Sequence, residues 1–301
     1  DFRRAMCDKG RRSARRGSAL PAPAAMSEYR YAWAAHAPVL VHGRHGVFRH
    51  QPNDVYIGRS LATYGEYSEL ELRPLLGLIE PGDTVVEVGA NIGAHAVPLA
   101  RKLGPKGRLI AYEPQFQLFE TLRLNLALNG LRHAEARRAA AGARAETLSY
   151  APPPQREAAN LGGVAMSRDG RGDAVPAVRL DDDLKGVRPA LVKIDVEGME
   201  EEVLIGAART IAACRPAIYL ENDRRDRSAA LIRRLHGMGY CPFWSLPPLF
   251  NPNNYFGIAQ NVFGRIVSVN MLCIPRERLN AEGVAGSVQD PEEPSPLGGP
   301  R

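Results

Sequence analysis

From Pro81 onward, short β-branched runs alternate with helical stripes over about 140 residues, the pattern of a parallel sheet covered on both faces. No other property of the chain limits its fold so strongly. Thr84–Val88 reads as the first strand, opened by Pro81-Gly82-Asp83 and closed by Gly89. The helix after it places Ile92, Ala96, Leu99, Ala100 and Leu103 on one face. Pro98 removes a backbone donor inside that stripe and predicts a bend or irregular turn. Arg108–Tyr112 is the second strand, followed by a stripe of Leu118, Phe119, Leu122 and Leu126 that stops at Asn129-Gly130. His133–Ala141 becomes the third strand by position alone, because its Ala/Arg composition has weak strand propensity. Leu191–Val196 and Pro216–Leu220 give the fourth and fifth strands, separated by a helical face of Met199, Val203, Ala207 and Ile211. A helix over Ser228–Met238 and strands over Tyr240–Ser245 and Ile266–Ile274 complete a doubly wound, mostly parallel, seven-stranded Rossmann-like α/β sheet.

This domain occupies residues 81–275. Residues 27–80, with Tyr56, Tyr64 and Tyr67, read as an N-terminal cap, and 276–301 as a polar, disordered tail. Residues 151–173, containing Pro152-Pro153-Pro154 and Gly162-Gly163, read as a mobile loop. Residues 1–26 form a disordered basic arm, and its charge has to be set apart before the net +6 is interpreted. Seven Lys/Arg against Asp1 and Asp8 give residues 1–16 a charge of +5, which leaves +1 for the rest. A nearly neutral body has no footprint for a polyanion, so no nucleic-acid partner is expected. No run approaches the roughly 18 apolar residues that span a bilayer, so no membrane span is expected either. Cys7, Cys214, Cys241 and Cys273 are far apart without metal-type spacing, as expected of reduced thiols in a cytoplasmic protein.

The strongest motif is Val85-Val86-Glu87-Val88-Gly89-Ala90-Asn91-Ile92-Gly93, a strand running through a glycine turn into a helix N-terminus. Glycines there let a ligand approach backbone that a Cβ would block. A dinucleotide site would show G-x-G-x-x-G to admit a pyrophosphate. The spacing here is G-x-x-x-G, which suits a ligand without phosphate such as an adenosyl amino acid. Glu113, followed by Pro114 at the end of the second strand, is placed to accept hydrogen bonds from both ribose hydroxyls. The cofactor-binding set is therefore Tyr64 from the cap, Glu87, Gly89, Ala90, Asn91, Gly93, Glu113, Pro114 and Asp195. The last of these ends Lys193-Ile194-Asp195-Val196-Glu197-Gly198-Met199-Glu200 at the carboxyl edge of the fourth strand, where ligands of open α/β sheets sit. Glu200, Glu201 and Glu202 complement the following helix dipole.

The segments 89–100, 112–114, 193–200 and 215–223 together resemble FkbM-type methyltransferases of class I, over about residues 60–275. The resemblance implies S-adenosylmethionine as donor and O-methylation of a hydroxyl on a sugar, glycoside, polyketide or related small molecule or glycan. An alcohol is a poor nucleophile while protonated, so either a base or a divalent cation must activate it. Asp195, Glu197 and His95 are the candidate catalytic residues. Asp195, Glu221 and Asn222 would supply three oxygens to a hard cation such as Mg²⁺. The opposing expectation is that Glu221 and Asp223 pair with Arg224, Arg225 or Arg227. The loop over 246–257 suits either an acceptor pocket or a satellite core. Two rival readings are a nicotinamide-dependent oxidoreductase, disfavoured by the missing middle glycine, and a nucleoside-binding scaffold without turnover.

Overall fold

The computed structural model describes residues 39–154, 157–293 and 296–297; the expected basic arm lies outside the described residues. A hairpin of β1 (Val39–Gly43) and β2 (Gly46–His50) leads into α1 (Ile57–Tyr64) and α2 (Glu69–Gly77). The alternation follows: β3 (Thr84–Val88), α3 (Ala96–Leu103), β4 (Arg108–Tyr112), α4 (Phe116–Leu128) and β5 (Ala134–Arg137). Next come β6 (Ala140–Ala141), β7 (Glu146–Tyr150), β8 (Asp173–Val178) and the single turn α5 (Leu180–Asp183). The chain continues with β9 (Leu191–Ile194), α6 (Glu200–Gly206), α7 (Ala208–Cys214), β10 (Ala217–Glu221) and α8 (Arg225–Gly237). It closes with β11 (Tyr240–Ser245), β12 (Asn270–Pro275), a 3-10 turn at Arg276–Arg278 and α9 (Ala281–Ala285).

Seven strands form the main sheet in the order β11-β12-β10-β9-β3-β4-β5. The five from β10 to β5 run parallel, and β12 is antiparallel to both of its neighbours. Strand alternation sends Val85, Leu109, Leu191 and Tyr219 into a core shared with α3, α4 and the N-terminal elements. Val86, Ile110, Val192 and Ile218 enter the opposite core with α6, α7 and α8. Both faces are thus buried, which is why these strands are nearly continuous apolar runs. The doubly wound expectation is met.

Pro98 produces no disruption within the helix. Residues 91–95 form turns and α3 starts at Ala96, so Pro98 falls in the first turn, where no intrahelical donor is required. The expected third strand divides into β5 and β6, and β6 joins a second sheet of order β6-β8-β7 that the sequence reading missed. Residues 276–293, expected to be disordered, include α9 with the Asn280 side chain as its cap, and Val288 is buried in the second core. A polar, Pro/Gly-rich composition concealed that single apolar anchor.

Candidate functional site

Register builds the site. Glu87 and Tyr219 both pair with Lys193, so three adjacent strands place these side chains abreast on the face that α3 covers. At the carboxyl ends of β3, β4, β9 and β10 this face opens into a cavity of about 330 Å³. It is lined by Glu87, Gly89, Ala90, Asn91, His95, Glu113, Pro114, Asp195, Glu197 and Glu221 among the expected residues. Tyr67 reaches it from the turn between α1 and α2 and Glu71 from α2, and Lys193, Asp223, Ser268 and Asn270 complete its polar wall.

Gly89 has φ +85°, but its decisive constraint is an approach between strands. A Cβ there would lie 1.7 Å from the Asp195 carbonyl oxygen. The Asp195 amide donates to the Val88 carbonyl at 2.9 Å, which fixes the two strand ends together. The glycine therefore serves the backbone before it serves any ligand. Asn91 (φ +51°) and Glu197 (φ +51°) are left-handed without being glycine, and both face the cavity. Such conformations are costly and cluster where surrounding structure over-determines them.

Glu113 is 3% exposed and divides its oxygens: Oε2 accepts from the Asn91 amide at 2.8 Å and Oε1 from the Gln115 amide at 2.9 Å. Burial pushes its pKa to about 7 despite those two donors. Lys193, 3% exposed, holds Asp195 at 3.1 Å and Glu87 at 3.7 Å. Burial alone would depress the Lys193 ammonium, yet Asp195, Glu87 and Glu71 keep it above its ordinary value. Glu87 is raised to about 7, first by burial and then by Asp195 and Glu71, against the pull of Lys193. Its Oε2 has no partner.

His95 is 5% exposed, and burial followed by the Lys193 charge pushes its pKa well below the ordinary value, so its ring is neutral at pH 7. The ring hydrogen-bonds the Tyr67 backbone, Nδ1 lies 3.8 Å from Glu71 Oε1, and Nε2 has no partner. With the ring neutral and Nδ1 turned to its partners, Nε2 is the nitrogen left with a lone pair that can accept a proton. Glu197 is held by Arg224 at 3.1 Å and raised to about 7 by burial and then Asp195. Glu200 accepts from the Gly198 amide at 2.9 Å, the helix-terminus role expected of it.

Three expected site residues fall elsewhere. Tyr64 is buried against Leu249, Phe250 and Phe263, and its hydroxyl donates to the Gln260 carbonyl and accepts from the Val262 amide. The middle of the 246–264 loop thus builds the satellite core, while Leu249 and residues 266–270 line the cavity. Gly93 packs against α4, where a Cβ would meet Leu122 at 2.8 Å. Asn222 turns away from Glu221 and donates to Ser228 Oγ at 3.0 Å and Met271 Sδ at 3.1 Å. Consecutive residues at a strand end face opposite sides, so Asp195, Glu221 and Asn222 do not converge, and the expected Mg²⁺ triad does not form. Among the described residues no group of three or more His, Cys, Asp or Glu is arranged to hold a metal. Among the described residues the arginine pairing expected for Glu221 and Asp223 is also missing, and Arg224 goes to Glu197 and Arg227 to the Gly198 carbonyl and Asp226.

Lys193 and Glu71 escaped the sequence reading, and Tyr67 was read only as part of the cap. A lysine two residues before Asp195 in an apolar strand shares its face, which was an available signal. Nothing local marks Tyr67 or Glu71. No helix of the described residues is long and apolar enough to cross a membrane.

Residues 87–241, more than half of the chain, match the family described as Methyltransferase FkbM domain. A search of curated proteins gave no match. Among solved structures the chain is similar to a methyltransferase FkbM from Methylobacillus flagellatus at 18% identity and TM-score 0.43, covering 73% of this chain and 55% of that one. It therefore spans little more than half the length of that protein. A precorrin-6y C5,15-methyltransferase from Geobacter metallireducens matches at 14% identity and TM-score 0.42, over 67% and 87% of the two chains. A SAM-dependent O-methyltransferase from Thermotoga maritima matches at 12% and 0.41, over 69% and 63%.

Proposed function

This chain belongs to the FkbM methyltransferase family, and from that premise we propose that it transfers a methyl group from S-adenosylmethionine to a hydroxyl oxygen of a sugar, glycoside, polyketide or related small molecule. The observation that carries this reading is the sharing of one cavity by the buried Glu113 carboxyl and the His95 ring, whose Nε2 has no partner. The residues fit the cofactor. Each Glu113 oxygen spends one lone-pair site on an amide and keeps another for a ribose hydroxyl. The orphaned Oε2 of Glu87 suits the cofactor's ammonium. Ala90 and Pro114 supply apolar wall beside them.

When bound, S-adenosylmethionine supplies an activated methyl whose bond to sulfur breaks as the acceptor oxygen attacks, the electron pair remaining on sulfur. His95 Nε2 takes the hydroxyl proton as that oxygen reacts. Glu71, beside Nδ1, stabilises the resulting imidazolium, and the Tyr67 backbone fixes the ring orientation. Lys193 orients Asp195 and Glu87 and keeps their repulsion from opening the site. The acceptor is a small molecule or glycan because a wall this rich in carboxylates repels a polyanion.

The test measures S-adenosylhomocysteine affinity by calorimetry and methyl transfer to a hydroxylated acceptor set by mass spectrometry. His95→Ala is expected to keep cofactor affinity and lose about 10²- to 10⁴-fold in kcat. A variant that turns over like the wild type removes His95 from the chemistry. A melting temperature raised by NAD but not by S-adenosylhomocysteine sinks the methyltransferase reading altogether.

A further inference from the structure

The carboxylates of the cavity are not all provided for. Glu87 and Asp195 share Lys193, Glu197 has Arg224, and Glu113 has two backbone amides. The side chains of Glu221 and Asp223 make no hydrogen bond or ion pair with any described residue, although both residues line the cavity. No arginine lines it, and Lys193 is its one lysine among the described residues.

Topology separates these two from the cofactor. The Glu87 and Gly89 turn ends β3 and Glu113 follows β4, whereas Glu221 ends β10, on the far side of β9. Two strand spacings, about 9–10 Å, lie between β3 and β10. On the methyltransferase reading, Glu87 and Asp195 are already assigned to the cofactor. The unpartnered carboxyl groups of Glu221 and Asp223 therefore belong to the acceptor end.

A second observation points to a ligand at that end. His95 lines the same cavity, its side chain is 5% exposed, and its Nε2 has no partner, which leaves a lone pair able to accept a hydroxyl proton. Tyr67 joins the two features, with its ring 5.5 Å from that of His95 and its hydroxyl within electrostatic reach of Glu221.

Building on the methyltransferase reading, we propose that the acceptor is a hydroxylated amine, whose ammonium is held by Glu221 and Asp223 while its hydroxyl is presented to His95. An ammonium has no lone pair, so holding it between carboxylates also directs methylation to oxygen. Burial and the neighbouring carboxylates Asp195, Asp223 and Glu197 raise the pKa of Glu221 in the free protein, and a bound cation relieves that cost.

The test uses the full chain saturated with S-adenosylhomocysteine. Glucosamine and kanamycin are titrated by calorimetry, each against its N-acetylated form. The amine of at least one pair is expected to bind at least about tenfold more tightly, as a buried charge pair requires. E221Q/D223N should abolish that preference with cofactor affinity and melting temperature retained. Equal or weaker binding of both amines, including no binding of any probe, overturns the proposal. So does a preference that survives E221Q/D223N, or a product methylated on nitrogen. Failure of S-adenosylhomocysteine to bind the wild type counts instead against the methyltransferase reading.

Discussion

The two ends of the cavity are built in opposite ways. At the β3–β4 end the carboxylates of Glu87 and Glu113 are met by Lys193 and by backbone amides, on strands fixed to their neighbours. At the β10 end, Glu221 and Asp223 have no counter-charge within the described residues, and the nearby arginines turn elsewhere. A ligand of constant structure can be met by groups arranged in advance, which lowers the ordering cost of binding. The other end is left to be completed by its guest.

Four substitutions probe that contrast, beginning with the largest effect. Gly89→Val forces a side chain into the Asp195 carbonyl at a left-handed backbone position. It is expected to cost more than about 4 kcal/mol of stability in denaturant melts. A variant of normal stability that merely loses cofactor would show that the glycine serves the ligand instead. Lys193→Met leaves Glu87 and Asp195 uncompensated at the satisfied end and is expected to cost about 3–5 kcal/mol. A neutral outcome would mean that both ends are equally unbalanced and would erase the distinction.

Glu113→Gln tests the same end through pH. Folding raises the Glu113 pKa from an ordinary carboxylate value to about 7. The folded protein therefore holds a proton that the unfolded chain releases, and this contribution to stability is lost as pH rises from about 4.5 to 7. Against the wild type without ligand, Glu113→Gln is expected to gain relative stability across that window. With S-adenosylhomocysteine it should lose about 1–3 kcal/mol of affinity. A pH-independent difference between the two melting curves would contradict the burial of that carboxyl. Smallest of all, Tyr64→Phe should cost about 1 kcal/mol of stability through its hydroxyl contacts, with cofactor affinity unchanged. Weakened cofactor binding would return Tyr64 to the site.

Legibility in the sequence followed local physics. β3, β4 and β11 have the bounds that their apolar runs and turn residues predicted, and β9 and β10 differ by one or two residues. Glu87, Gly89, Asn91, Glu113 and Asp195 reach one cavity because strand ends on a single sheet edge must converge. The β6-β8-β7 sheet was illegible because pairing across a long insertion, rather than propensity, creates it. Tyr67 and Glu71 arrive with α2 and the turn that precedes it, whose placement at the cavity no local pattern announces. The metal triad failed on a rule that was available: Glu221 and Asn222 are adjacent on a strand and cannot both face inward.

The contact between Gly89 and Asp195 also bears on how this protein could be re-engineered. Because the turns after β3 and β9 share an atom-to-atom boundary, reshaping one displaces the other, and on the proposed assignment donor and acceptor preferences could not be adjusted separately through that seam. Variation aimed at new acceptors is better confined to residues 221–223, the α2 side chains and the 266–270 segment, which border the hollow without sharing that seam.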